Sequence, residues 1–125
     1  MPAIGTYAYT YPASYKDSLT RFSDSLLETV KLTLRQSTTD FDEEIKSYIE
    51  TCAEDLHNAG VVLSYFTPTS TAWKCDRQIL QAVRWYCLSV FGLYNADMEK
   101  YDKAYRSLKA TLCTQRKYTE EQNGV

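Results

Sequence analysis

The sequence predicts an all-α fold, a small bundle of about four helices. In four segments, apolar residues recur three or four positions apart, as they do on one face of a helix. Aspartate or serine, side chains that cap helix N-termini, stand at or near the start of these segments. No two segments alternate polar and apolar residues as paired strands would. With 125 residues, 44% of them hydrophobic and 24% charged, the chain is expected to form one globular domain with a core of its own.

The first 22 residues are predicted to form an N-terminal arm. Tyr7, Tyr9 and Tyr11 alternate with Ala and Thr, as in a strand. Two prolines and a glycine interrupt the segment, however, and a lone strand has no partner to pair with. We therefore expect residues 1–22 to be a flexible arm that becomes ordered against another subunit.

Helix 1 is predicted from about Ser23 to Arg35. Its start is rich in serine and aspartate, which suit an N-cap. Leu26, Val30 and Leu34 lie on one helical face. The polar letters "QSTTD" then break the pattern, so a turn is expected before the next helix.

Helix 2 is predicted from about Phe41 to Asn58. Asp40 is expected to cap its start, and the acidic first turn suits the helix dipole. Gly60 is expected to end the helix as its C′ residue. One apolar stripe runs along the helix and consists of Phe41, Ile45, Tyr48, Ile49, Cys52, Ala53 and Leu56.

Residues 61–75, rich in Ser and Thr, are predicted to be a loop. Helix 3 follows from the cap Asp76 to about Tyr94. It is apolar on most sides, and Trp85 and Leu88 face a direction of their own. Such a helix is expected to be buried in the bundle or covered by a neighbouring subunit.

Helix 4 is predicted from near Asp97 to about Cys113. Its apolar residues are spaced alternately three and four apart, which is a seam for packing on another helix. The seam consists of Met98, Tyr101, Tyr105, Leu108 and Leu112. The helical bundle domain is therefore predicted over residues 23–113, and residues 114–125 are expected to form a polar, mobile C-terminal tail.

The segment from Asp40 to Gly60 crowds seven carboxylates, a cysteine and the chain's only histidine into 21 residues. Glu54 and His57 have the E-x-x-H spacing of carboxylate-bridged di-iron bundles, but such a site needs a second histidine. Cys52 belongs to the apolar stripe and is poorly aligned with His57 for nucleophilic catalysis. We therefore expect no metal, cofactor or catalytic site in this segment.

The acidic residues of helix 2 are better explained as a solvent-exposed face than as a metal or catalytic site. Successive residues turn by about 100° around a helix, which places Glu43, Glu50 and Glu54 opposite the face centred on Ile45. The stretch Asp40–Asp55 holds seven acids and one base, a local charge of −6. We expect a solvated face or a contact with another subunit.

No enzyme is expected from the remaining motifs. The chain lacks a G-x-S-x-G turn, and its four glycines form no phosphate-cradling loop. None of the four cysteines forms a C-x-x-C pair, so neither zinc nor a redox motif is predicted. No signal peptide and no apolar run of the ~20 residues that cross a membrane is present. An intracellular protein with free thiols is expected.

Helix 4 carries a basic run. Lys100, Lys103, Arg106 and Lys109 recur every three residues, and residues 100–117 hold six bases and one acid, a local charge of +5. This spacing spreads the charges around the solvent side, so a solvated face is favoured over a surface that reads bases. A small helical regulator that binds nucleic acid or protein through helix 4 stays open as the alternative function.

Several patterns occur in an ordered series. "VKLTLRQSTTDFDEEIKSYIETCAEDL" has a hydrophobic-K-x-x-L-R helix end, a polar turn and an acidic cap before hydrophobic-K-x-Y-I-x-x-A. "DRQILQAVRWYCLSVFGLY" is a long aromatic helix, and "YDKAYRSLKATLCTQRKY" contains Y-x-x-L-K-x-x-L. Over about residues 26–118 this series resembles the head–tail connector (adaptor, or head-completion) proteins of tailed bacteriophages. The matching residues are Val30, Lys31, Leu34, Arg35, Asp40, Glu43, Ile45, Lys46, Tyr48, Ile49, Ala53, Tyr105, Leu108, Lys109 and Leu112.

The resemblance implies a non-enzymatic virion protein that is assembled in the host cytoplasm. Subunits of that family form a ring, usually of twelve, under the portal protein at the capsid vertex. The ring extends the DNA channel, which phage DNA crosses without its sequence being read, and docks the stopper or tail-completion protein. Acidic helix 2 and basic helix 4 are expected to face each other between subunits, or the acids to line the channel. The interface or channel residues expected are Glu43, Glu50, Glu54, Lys100, Lys103, Arg106 and Trp85.

Overall fold

The computed structural model describes residues 13–91 and 96–120. Within these ranges the chain contains no strand, and the prediction of an all-α bundle is confirmed. The helices are α1 (Ala13–Leu34), α2 (Asp42–Asn58), α3 (Arg77–Val90), α4 (Met98–Cys113) and the short α5 (Arg116–Thr119), with a 3₁₀ turn at Leu63–Phe66. Helices α1 and α2 pack along each other, both contact α3, and α4 packs on α3 and α5. No helix of the described ranges is long and apolar enough to cross a membrane.

The predicted apolar stripes form the core of the bundle. Helix α2 buries Ile45, Ile49, Cys52, Ala53 and Leu56, and α3 buries Ile79, Ala82, Val83 and Cys87. Because burying one large aliphatic side chain stabilises a fold by about 1.5–3 kcal/mol, these stripes hold the helices together. Phe41 departs from the prediction. It is 42% exposed and touches the bundle through the edge of its ring against Phe91.

Helix α1 begins ten residues before its predicted start. Tyr15, Leu19 and Phe22 are buried and continue the apolar stripe of α1 toward the N-terminus at helical spacing. The prediction that the N-terminal segment is a flexible arm is therefore wrong for residues 13–22, which packing against the bundle makes helical. The rest of the predicted arm, residues 1–12, lies outside the described residues.

The turn after α1 is a Schellman motif, in which two backbone N–H groups beyond the helix bond back to its last turn. The Gln36 N–H donates to the Lys31 carbonyl at 2.9 Å, and the Arg35 N–H donates to the Leu32 carbonyl at 3.2 Å. Arg35 adopts a left-handed conformation with φ of 60°. Glycine is usual at this position because a Cβ atom disfavours that conformation.

Substitution of Arg35 by glycine is therefore expected to raise the free energy of unfolding by about 0.5–1 kcal/mol. Arg35→Ala is the matched control, because it removes the same charge and keeps the Cβ atom. Thermal and urea unfolding measure both variants. A gain in the alanine variant as large as in the glycine variant would show that the side chain, and not the backbone conformation, is the source of the effect.

The two ends of α2 differ in how well they match the prediction. The prediction that Asp40 caps the helix is wrong, because Phe41 occupies the N-cap and no side chain accepts a hydrogen bond there. Asp42 in the first turn instead forms an ion pair of 2.8 Å with Lys31 of α1. At the other end the prediction for Gly60 is confirmed. It follows the helix with φ of 128° and completes a second Schellman motif.

Helix α3 starts as the sequence predicts. The Asp76 carboxylate accepts hydrogen bonds from the backbone N–H groups of Gln78 and Ile79 at 3.0 and 3.2 Å, the geometry of a side-chain N-cap. The helix ends at Val90. Its predicted end lies within residues 92–95, outside the described residues.

The chain beyond α4 folds back on the bundle. Tyr118 in α5 is fully buried, and its carbonyl accepts a hydrogen bond from the Val62 N–H at 2.8 Å. Its hydroxyl donates to the Asp76 carboxylate at 2.9 Å, and its ring lies 5.0 Å from that of Tyr65, centroid to centroid. The prediction of a mobile polar tail is therefore wrong for the described part of that segment, whose last five residues lie outside the described ranges.

Candidate functional site

Three acidic residues predicted at an interface lie on the side of α2 that faces away from its buried stripe, and this surface is called the acidic side of α2. Glu43 is 90% exposed and shares Lys46 with an aspartate of α1, both at 3.2 Å. Glu50 is half-buried and accepts a hydrogen bond of 2.7 Å from the buried Ser23 hydroxyl. Glu54 is half-buried and makes no hydrogen bond or ion pair within the described residues. The surface therefore carries an excess of negative charge.

A polar junction joins α2 to α4. The Tyr105 hydroxyl donates to Asp55 Oδ2 at 2.6 Å, and Lys109 Nζ donates to the same oxygen at 2.9 Å. Burial raises the pKa of Tyr105, so its hydroxyl stays protonated and acts as a donor. Partial burial opposes ionisation of Asp55, but the hydrogen bonds from Tyr105 and Lys109 outweigh it and lower the pKa of this carboxyl. One acidic residue of α2, Asp55, is thus already paired with a basic residue of α4, Lys109, within the same chain.

The lowered pKa of Asp55 predicts an acid-sensitive contribution to stability. A carboxyl whose pKa is lower in the folded than in the unfolded chain stabilises the fold above its unfolded pKa, and the contribution is lost as the pH falls through the folded pKa. The melting temperature of wild type is therefore expected to fall further than that of Asp55→Asn between about pH 5 and pH 2. Lys109→Met removes one of the two hydrogen bonds that lower the pKa of Asp55. Its melting temperature is therefore expected to fall less than that of wild type over this pH range. Equal pH dependence in wild type and Asp55→Asn would contradict the prediction.

The basic residues predicted on α4 are exposed. Lys100 and Lys103 lie on its solvent side, and Arg106 pairs with Asp102 one turn earlier at 2.8 Å. None of these three cations forms an ion pair with an acidic residue of α2 within the described part of the chain. Within one chain α2 and α4 meet at the junction of Asp55 with Tyr105 and Lys109, and the contact of these three residues between subunits stays a prediction.

The histidine and the cysteine of α2, which a catalytic or metal site would need, both have structural roles. His57 Nδ1 lies 2.8 Å from the Val61 carbonyl oxygen, to which it donates, and so ties the end of α2 to the following turn. Cys52 is fully buried in the core, and burial raises the pKa of its thiol well above the usual value. Within residues 13–91 and 96–120, no three side chains of His, Cys, Asp or Glu lie close enough together to hold a metal ion.

A cleft of about 730 Å³ lies between the outer side of α3 and the C-terminal segment, and it is called the α3 cleft. Its lining consists of Asp76, Arg77, Gln78, Leu80, Gln81, Arg84, Trp85, Leu108, Lys117 and Tyr118. Leu80, Trp85 and Leu108 are half-buried and pack against the core, so they form an apolar floor. The cleft contains Trp85, which the sequence predicted at an interface, but none of the other residues predicted there.

Cations predominate around the α3 cleft. Arg77 and Arg84 lie two helical turns apart on the same side of α3. Arg84 Nε is shielded from solvent and makes no hydrogen bond within the described residues. Lys117 Nζ lies 3.7 Å from Asp76, whose carboxylate already caps α3 and accepts from Tyr118. The cleft therefore offers positive charge beside an apolar floor.

Sequence reasoning missed the two arginines of this cleft, although a signal was present. Arg77, Gln81 and Arg84 recur at helical spacing on the side of α3 opposite to the buried Ile79 and Val83. What the spacing does not reveal is that α5 folds back beside them and adds a third cation. That position depends on contacts between segments far apart in the chain.

One comparison with known proteins finds a match. A family model described as phage connector protein matches residues 26–119. These residues run from the middle of α1 to the end of α5 and include both the acidic side of α2 and the α3 cleft. No curated protein and no solved structure matches the chain.

Proposed function

Because the chain belongs to the phage connector protein family, we propose that it is a non-enzymatic structural protein of the head–tail junction. Copies of the chain form a ring under the portal protein, extend the DNA channel and dock the stopper or tail-completion protein. The ring assembles in the host cytoplasm and stays in the virion. The observation that carries this proposal is the extent of the family match, which spans residues 26–119 and thus most of the described bundle rather than one motif.

The surfaces of the bundle support a role in assembly. The acidic side of α2 carries excess negative charge, whereas the α3 cleft combines positive charge with half-buried apolar side chains such as Trp85. Surfaces of opposite charge on one chain suit contacts between copies or with other components of a particle. His57 and Cys52, which sequence reasoning weighed for chemistry, have structural roles at the end of α2 and in the core.

Electron microscopy of the chain mixed with the portal protein encoded in the same genome tests the proposal. The expected result is an additional ring, coaxial with the portal and absent when the chain is omitted. A portal protein from an unrelated phage serves as the control for non-specific binding. The proposal fails if the chain does not bind its portal, or if phage heads made without this gene still attach tails.

The exposure of Lys100 and Lys103 favours a second candidate, a helical regulator that binds nucleic acid or protein through α4. Its support is smaller, because Arg106 and Lys109 on the same helix already pair with aspartates of the chain. Titration with duplex DNA at increasing salt tests this candidate, since binding driven by phosphate contacts must weaken steeply as salt rises. Weak binding that is insensitive to salt would exclude it.

A further inference from the structure

We propose that the α3 cleft of one copy receives the acidic side of α2 of a second copy. The contact is head to tail, because it joins two different surfaces, and a repeated contact of this kind forms a ring when the rotation between copies divides a full turn. The inference rests on the proposed function in one respect, namely that a connector ring requires a contact between its copies. The choice of the two surfaces comes from their burial, charge and spacing.

The α3 cleft is suited to an anionic side chain. Arg84 Nε is shielded from solvent without a hydrogen-bond partner in the described residues, and a buried donor left in that state is unfavourable. The Arg84 side chain as a whole is only half-buried, so a carboxylate in the cleft can bind its guanidinium group, and arginine binds carboxylates with two parallel hydrogen bonds. Leu80 and Trp85 beside it are only half-buried, so a second helix laid across the cleft also covers apolar surface.

The acidic side of α2 has carboxylates that its own chain does not neutralise. Glu43 is 90% exposed and competes with an aspartate of α1 for one ammonium group, that of Lys46. Glu54 makes no ion pair within the described residues. Glu50 accepts from the neutral hydroxyl of Ser23 and keeps further acceptor positions, since a carboxylate offers about four.

The spacing of the charges on the two surfaces agrees. Arg77 and Arg84 are seven residues apart on α3, and Glu43 and Glu50 are seven residues apart on α2. Seven residues correspond to two helical turns, or about 10.5 Å. Two helices lying side by side therefore bring both arginines opposite both glutamates in the same register.

These two surfaces do not meet within one chain. Val83 of α3 is buried in the core, and Arg77 and Arg84 lie on the other side of that helix, in the lining of the cleft. Ile49 of α2 is likewise buried, and the acidic side lies on the opposite side of that helix, where Glu50 also contacts α1. No ion pair joins the two surfaces within the described residues, so their pairing requires a second copy.

Helix α4 is the weaker partner for the same acidic side, although its net charge first suggested it. Arg106 is already paired with Asp102 at 2.8 Å, and Lys109 is held by Asp55 at 2.9 Å. Lys100 and Lys103 are exposed, and neither belongs to the lining of the α3 cleft. Arg77 in the cleft is exposed as well, so the α3 cleft differs from α4 by its half-buried Arg84 and its apolar floor, which reduce screening by water and salt.

Charge reversal of each surface tests the proposal. The cleft variant carries Arg77→Glu and Arg84→Glu, and the acidic-side variant carries Glu43→Arg and Glu50→Arg, the two glutamates that match this spacing. Each variant alone is expected to weaken self-association of the full chain at least about tenfold at low salt, because like charges then face each other. An equimolar mixture is expected to restore it, since every contact in an alternating assembly again joins opposite charges. Sedimentation velocity and native mass spectrometry measure the assemblies, and circular dichroism checks that each variant is folded.

The matched control applies the same change of charge to another basic surface. Lys100→Glu combined with Lys103→Glu is expected to leave self-association unchanged. If this control abolishes self-association and the cleft variant does not, α4 is the partner of the acidic side and the proposal is overturned. Failure of the mixture to restore self-association that both variants have lost also overturns it.

A chain that stays monomeric by itself is assayed on the portal ring, where the number of bound copies replaces the sedimentation readout. Loss of portal binding in the cleft variant alone, with no rescue in the mixture, would assign the cleft to the portal and overturn the proposal. A wild-type chain that self-associates through these surfaces but binds no portal would contradict the connector function and leave this contact supported. A chain that is monomeric in both settings overturns the proposed contact.

Discussion

Replacement of Tyr118 by alanine is expected to lower the free energy of unfolding by about 3–5 kcal/mol, the usual cost of removing a buried aromatic side chain. Tyr118 is fully buried although it lies close to the end of the described chain. Its ring packs against Tyr65, and its hydroxyl donates to Asp76. Alanine therefore leaves a cavity under α5 and removes one donor from the Asp76 carboxylate. Urea unfolding followed by circular dichroism measures the loss.

Two neighbouring substitutions separate the contributions. Tyr118→Phe keeps the ring and removes only the hydroxyl, so a loss of about 1 kcal/mol is expected. Lys117→Ala changes the adjacent residue, whose side chain is 61% exposed, and is expected to cost at most about 1 kcal/mol. Wild-type stability in Tyr118→Ala would mean that α5 does not hold the chain end on the bundle in solution.

Substitution of Lys31 by alanine is expected to cost about 3 kcal/mol, because it breaks a largely buried ion pair. The side chains of Lys31 and Asp42 are 7% and 22% exposed, and their charged atoms are 2.8 Å apart. Asp42 Oδ1 makes no hydrogen bond within the described residues, so the ammonium charge is what compensates it. Alanine removes that charge together with the buried stem of the lysine.

The double variant Lys31→Met with Asp42→Asn tests the origin of this loss. It replaces two charges by neutral groups of similar size, and it is expected to recover most of the stability that Lys31→Ala loses. Urea unfolding of Lys31→Met, of Asp42→Asn and of the double variant gives the coupling energy of the pair. Lys46→Ala is the matched control, because it breaks a more exposed ion pair of the same two helices. It is expected to cost much less stability than Lys31→Ala. Equal losses in Lys31→Ala and Lys46→Ala would show that burial does not strengthen the pair.

Features that depend on residues close together in the sequence were predicted well. Gly60 follows α2 because only a residue without a Cβ atom readily adopts a φ of 128°. Asp76 starts α3 because its carboxylate reaches the N–H groups two and three residues further on. The bounds of α4 also agree with the prediction to within a residue.

Features that depend on contacts between distant segments were not predictable in this way. Tyr118 stands in a polar stretch, and it becomes a core residue only because Asp76, 42 residues away, and Tyr65 receive it. Tyr15 and Leu19 stand near residues that break helices, and the bundle against which they pack is what makes that segment helical. Phe41 fits the apolar stripe of α2 by spacing alone, but it lies at the N-cap and is partly exposed.

The candidate site likewise has features that the local sequence predicts and features that depend on contacts between distant segments. Rotation around a helix predicts that Glu43, Glu50 and Glu54 face away from the core of α2, and the described structure places them there. The same reasoning shows that Trp85 faces a direction of its own. It does not reveal the α3 cleft, because one wall of the cleft belongs to α5, whose position on the bundle no local pattern encodes.

The double role of Asp76 links the end of the chain to whatever occupies the α3 cleft. Its carboxylate caps α3 and also accepts from Tyr118, which with Lys117 forms one wall of the cleft. A molecule that binds against this wall also favours the docked form of the C-terminal segment. By thermodynamic reciprocity, docking of the segment raises the affinity of the cleft by the same free energy. Folding of the last turn and occupation of the cleft are therefore expected to be coupled, so that each favours the other.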